Sequence, residues 1–139
     1  MKHTDVSAEY IKRILSDINV SIESSPKIVI DCGNGSAGEI APRLFEALGC
    51  AVITMFSEID GNFPNHHPDP SQPENLKHLV RKVREESADI GFAFDGDGDR
   101  LGVVDAMGNI IWLDKQLMLL AIDVLSRNKG TNIIFDVKC

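Results

Sequence analysis

At 139 residues, 43% of them hydrophobic and 25% charged, the chain has the composition of a soluble globular domain of ordinary size, long enough to bury a core. Lys plus Arg is 14 and Asp plus Glu is 21, a formal net charge of −7 that argues against general affinity for nucleic acid or an anionic membrane. The longest apolar stretch, Leu117 to Ile122, is too short to span a bilayer. No apolar signal region follows Met1-Lys2-His3-Thr4-Asp5, so the cytoplasm is the expected compartment.

In chain order, Val6, Tyr10, Ile11, Ile14, Leu15 and Ile18 repeat with a helical period behind cap candidates Thr4 and Asp5, predicting a helix to about Asn19. Lys27 to Asp31 is a short β-branched run bounded by turn residues, hence a buried strand. A glycine loop, Cys32 to Ser36, leads to a helix from Ala37 to Leu48 with Gly49 as its stop, then a second strand from Cys50 to Phe56. Ser57 to Ser71 has no periodicity and carries Gly61, Pro64, Pro68 and Pro70, so it reads as one long loop, a length that is often functional in compact domains. Pro73 suits the first turn of a helix running to Glu86 with Leu76, Leu79, Val80 and Val83 inward. Asp89 to Phe94 reads as a third strand. Leu101 to Asp105 reads as a fourth, antiparallel to it because the connection is too short for a crossover. After the turn Met107-Gly108-Asn109 the pattern starts afresh: a short run from Ile110, a cap at Asp114, an apolar helix to Asn128, and a strand from Asn132 to Val137.

Strand, loop and helix repeated in this way predict a three-layer α/β/α domain with a mixed, mainly parallel sheet. Sites in such sheets lie at the carboxyl ends of strands, where the glycine, proline-rich and Asp95 loops all fall. Cys32, Cys50 and Cys139 have no metal-type spacing and read as reduced, Cys32 as a small packing residue.

Between the third and fourth strands runs Asp95-Gly96-Asp97-Gly98-Asp99-Arg100. Three carboxylates at alternate positions repel one another by several kcal/mol in the low dielectric near a folded backbone, which a bound cation relieves. Glycines let so short a loop curl its side chains round one ion. Oxygen-only donors favour Mg²⁺, Ca²⁺ or Mn²⁺ over zinc. An EF-hand is excluded, because counting from Asp95 puts Arg100 and Ala106 where that loop needs Gly and Glu. Asp99 also stands where haloacid dehalogenase-like phosphatases carry Thr or Val. A competing fingerprint is Gly33-x-Gly35-x-x-Gly38 between strand and helix, with Glu58 about 20 residues on; this is the dinucleotide-binding alternative. Asp31 counts against it, since its charge ends the strand where pyrophosphate oxygens would approach. His66 and His67, among prolines, read as holding the loop by hydrogen bonds, and His3 and His78 as surface residues.

Four segments together carry a resemblance: Val29 to Gly35, Asp60 to Pro70, Phe92 to Arg100, and Ile134 to Cys139. In this order they resemble the α-D-phosphohexomutases of the bacterial phosphomannomutase/phosphoglucomutase type. The resemblance implies that residues 1–109 are the second, metal-binding domain of a four-domain enzyme and 110–139 the truncated start of the third. It further implies that Asp95, Asp97 and Asp99 hold Mg²⁺ and that a phosphoserine of the first domain completes the site. Arg100 would lie near that phosphate, and Lys138 would reach the substrate as a positive charge or general acid/base. The implied activity interconverts hexose 1-phosphate and hexose 6-phosphate, of mannose or glucose, through a 1,6-bisphosphate. No serine here is followed by His-x-Pro, the family's active-site pattern, so the chain alone is expected to be inactive.

Overall fold

β-Branched and aromatic residues bounded by turn formers build one sheet. The computed structural model describes residues 5–18, 22 and 24–135. Its elements are α1 (Ser7–Asp17), β1 (Lys27–Asp31), α2 (Ala37–Ala47), β2 (Ala51–Met55), a 3₁₀ turn (Pro73–Leu76) running into α3 (Lys77–Glu86), β3 (Ile90–Phe94), β4 (Leu101–Asp105), β5 (Ile110–Ile111) and α4 (Leu113–Arg127). The strand order is β2-β1-β3-β4-β5. β1 is parallel to both β2 and β3, whereas β4 is antiparallel to β3 and β5 to β4.

Strand alternation sorts the side chains into two cores. Ile28, Ile30, Ile90, Phe92 and Phe94 pack with Ala41 and Phe45 of α2, and the Phe45 and Phe92 rings stack with centroids 5.2 Å apart. Val29, Ala93 and Val104 pack with Leu76, Leu79 and Val83 under α3. Each of these fully buried aliphatic side chains contributes about 1.5–3 kcal/mol. The chain steps one way from β1 to β2 through α2, then back across β1 to β3 through α3. Right-handed crossovers in opposite directions put those helices on opposite faces, giving the three layers. α3 lies so close to β3 that a Cβ on Gly91 would stand 2.6 Å from Val83 Cγ2.

Several boundaries differ from the sequence reading. Cys50 sits just before β2. In α1 the Asp5 carboxylate accepts the Ser7 N–H at 2.8 Å, while Thr4 is outside the described residues. Val6 and Tyr10 are exposed and only Ser7 and Ile11 are buried, so the inward face is narrower than its period implied. Residues 131–135 form no strand: a strand needs a neighbour for its N–H and C=O groups, and among the described residues none pairs with them. α4 buries no residue, and Met118, Leu119, Leu120 and Ile122 are all exposed. Among the described residues no helix is long and apolar enough to cross a membrane.

α3 ends on exposed Ser87 in the left-handed conformation, φ 50° and ψ 46°. A Cβ is unfavourable there by about 1 kcal/mol, and glycine is the usual occupant. Ser87→Gly is therefore expected to raise the free energy of urea unfolding by about 0.5–1 kcal/mol after the entropy of the freer unfolded chain is subtracted.

Candidate metal centre

The direction of chain travel reverses at β1, whose neighbours β2 and β3 lie on either side. The carboxyl ends of β1 and β3 consequently diverge into loops that leave a crevice, the usual place for a site in such a sheet. After β3 the chain turns straight back, pinned by the Phe94↔Leu101 pair. Within this turn Gly98 N–H donates to the Asp95 carbonyl at 3.2 Å, and Gly98 takes φ +78°, a conformation that favours glycine.

Asp95 is 1% exposed, whereas Asp97, Asp99 and Arg100 face solvent. The Arg100 backbone N–H donates to Asp95 Oδ1 at 3.1 Å, and its Nε donates to Oδ2 at 2.8 Å. One oxygen from each of Asp95, Asp97 and Asp99 fits within 4.8 Å of the others. Burial alone would raise the Asp95 pKa, but the Arg100 donors outweigh it and hold the carboxyl below its usual range. The Asp99 carboxyl is pushed up, first by its hydrogen bond with Asp95 and then by the charges of Asp97 and Asp95. Three hard oxygen donors, crowded and one of them buried, fit a small divalent cation that keeps part of its water.

Two other loops back this one. Ser36 N–H donates to the Gly96 carbonyl at 3.0 Å, and a Cβ on Gly35 would stand 2.7 Å from that same oxygen. Phe63 and Pro68 pack over Gly96. Asn34, buried with φ +57°, ties the loops together. Its N–H donates to the Phe56 carbonyl at 2.8 Å, its Nδ2 to the Glu58 carbonyl at 2.7 Å, and its Oδ1 accepts from Asn65 Nδ2 at 2.7 Å. Asp69, at the end of the proline-rich loop, accepts Arg100 Nη1 at 3.0 Å. Nothing in the sequence beyond its place between Pro68 and Pro70 marks Asp69 for this contact. Clefts of about 220 Å³, bordered by Asp99, Arg100 and Gln116, and about 260 Å³, bordered by Asp97, Ser36 and Tyr10, flank the carboxylates.

The glycine fingerprint of the dinucleotide alternative is used otherwise. Cβ atoms on Gly33, Gly35 and Gly38 would strike Pro68, Gly96 and Ser57 respectively. The room left by the missing side chains is filled by the chain itself, not available to a pyrophosphate. Cys32 is fully buried, and desolvation pushes its thiol up to about 12, as befits a packing residue. His66 does bind its loop: its Nδ1 lies 2.9 Å from the His67 carbonyl, and its Nε2 lies 3.1 and 3.0 Å from the two oxygens of buried Asp31. His67 is exposed. His78 is half-buried and not a surface residue, because its ring stacks on His66 at 6.2 Å and meets the Phe56 edge at 5.7 Å. Lys138, Cys139 and His3 are outside the described residues.

Residues 8–108 match the family described as phosphoglucomutase/phosphomannomutase, alpha/beta/alpha domain II. The whole chain is 59% identical to a phosphomannomutase/phosphoglucomutase of Pseudomonas aeruginosa, covering 30% of that protein. Over 134 residues, 96% of the chain, it is 52% identical to a phosphoglucomutase of Neisseria meningitidis, covering 29% of it. A crystal structure of a phosphoglucomutase/phosphomannomutase family protein from Burkholderia thailandensis superposes with a TM-score of 0.90 at 55% identity, over 99% of this chain and 30% of that one. The chain thus spans about a third of the length of the relatives it matches.

Proposed function

The chain belongs to the phosphoglucomutase/phosphomannomutase family as its alpha/beta/alpha domain II, and from that premise we propose that it is the metal-holding part of an enzyme interconverting hexose 1-phosphate and hexose 6-phosphate. The observation that carries the reading is the carboxylate loop, three oxygens within 4.8 Å with Asp95 buried against Arg100. Asp95, Asp97 and Asp99 would hold Mg²⁺, whose positive charge when bound stabilises a transferring phosphoryl group. Arg100 would present its fork of donors to the phosphate of a serine carried by another domain. Its guanidinium is already anchored through Nε and Nη1, so little orientation entropy is lost on meeting that phosphate. Lys138 would approach the substrate as a positive charge or proton carrier. The serine would give its phosphoryl group to the sugar and recover the other from a 1,6-bisphosphate.

On this reading residues 1–109 form the second domain, and 110–139 open the third, with β5 still laddered to β4 as the bridge. The exposed apolar face of α4 supports that partition. Mannose or glucose phosphates are the substrates, the phosphoserine loop is the protein partner, nucleic acid and membrane are not partners, and the compartment is the cytoplasm.

Asp97→Asn in the enzyme of full family length tests the reading. Losing one of three unit charges about 4 Å from a divalent ion is worth roughly 2–8 kcal/mol. Half-maximal turnover is expected to need about tenfold more Mg²⁺ or beyond, and an unchanged Mg²⁺ requirement would refute the metal role.

A further inference from the structure

Asp31 ends β1 with its carboxylate fully buried, a charge that is costly unless donors surround it. Gly33 N–H supplies one at 2.9 Å and His66 supplies the other. Because the His67 carbonyl can only accept, His66 Nδ1 carries a proton, and because Nε2 faces both Asp31 oxygens it carries one too. The ring is then an imidazolium clipped to a carboxylate, and the Asp31 bond is the chief reason its pKa is raised. The groups facing it are Asp31 on β1, the neighbouring His67, Phe56 after β2, and His78 on α3, whose Nδ1 lies 3.5 Å from Arg81 Nη2.

The chain leaves this clip in a direction that matters. Pro68, two residues on, is buried where a Cβ on Gly33 would meet it at 2.9 Å, and its Cγ also lies over Gly96. Next comes Asp69, gripping Arg100. We infer that His66 is a positioning residue: clipped to Asp31, it sets the proline-rich loop at the height from which Asp69 holds the Arg100 guanidinium against Asp95. The importance of this for catalysis rests on the phosphate-facing role proposed for Arg100, but the mechanical linkage does not. Loosening the clip frees one end of the arginine's support and leaves β3 and β4 in place.

Hydrogen exchange on the 139-residue chain reads the linkage directly, since the Arg100 amide and Nε–H both donate to Asp95. As pH passes the midpoint read from the His66 ring's own NMR signals, Arg100 exchange corrected for base catalysis should rise about tenfold. The Val104 amide in β4 should keep its protection. His66→Leu, which has no donor for Asp31, should remove that midpoint and leave Arg100 fast throughout, whereas Asp69→Asn should free the Arg100 Nε–H and keep the Gly33 amide slow. Arg100 tracking Val104 through the transition, or wild-type protection in His66→Leu, would overturn the inference. The wild-type titration needs no variant to fold, and it is run without added metal because the Arg100 donors share Asp95 with the proposed ion; none of these rates requires turnover. Failure here is thus separable from failure of the metal role.

Discussion

His66→Leu is expected to lower the unfolding free energy by about 3–5 kcal/mol, the range for removing one partner of a buried ion pair. Leucine nearly fills the volume against Phe56 and His78 but leaves the buried Asp31 carboxylate with the Gly33 N–H as its hydrogen-bond donor. Denaturant unfolding near neutrality gives the number. Asp31→Leu in the same chain should recover much of the loss, because a buried pair replaced by apolar groups is often neutral. A small loss in the single variant would show that water reaches Asp31 at little cost.

The pH dependence follows from the direction of each shift. His66 titrates above its ordinary 6.5, so its stabilisation is fully present below 6.5 and disappears as pH rises through the folded-state value. Asp69 is lowered first by the Ser71 hydroxyl, Asp95 by Arg100 donors that outweigh its burial, and Asp105 first by Asn109. Their contributions are present above 3.8 and are lost as pH falls through their depressed values. Thermal unfolding should show a plateau between these limits, and His66→Leu should abolish the decline that begins just above 6.5, leaving the one that the buried Cys32 thiol imposes above 9.

Gly38→Ala should cost about 3 kcal/mol, which lowers the melting temperature by roughly 10 °C. Gly38 lies in the first turn of α2. A Cβ there would overlap the Ser57 carbonyl oxygen and stand 2.9 Å from its carbon. The obstacle is backbone, and no rotamer change relieves it. A melting temperature within a degree or two of the parent would mean the loop after β2 slides aside freely. The same substitution at Gly61, where nothing lies within 4 Å, is the matched control.

The strands and helices around the site were legible because their signals are local. Lys27–Asp31 and Leu101–Asp105 were bounded by turn formers, and both bury their central residues. The carboxylate loop was legible for the same reason, three charges within five residues. Contacts between distant segments were not. His66 meets Asp31 across 35 positions and Arg100 meets Asp69 across 31, in a segment with no period to signal which side chains turn inward. His78 lies off the Leu76, Leu79 and Val83 stripe, and a loop ring covers it. The expected strand after Asn132 had the right residues, but pairing is decided by a neighbour and not by the run itself.

The hairpin geometry of residues 95–100 has one more consequence. Both ends of the turn are stapled into one rung, Phe94 opposite Leu101, so the segment cannot swing as a flap without unzipping the sheet's centre. It behaves as a fixed anvil. Any travel during a working cycle has to be made by whatever is brought up to it.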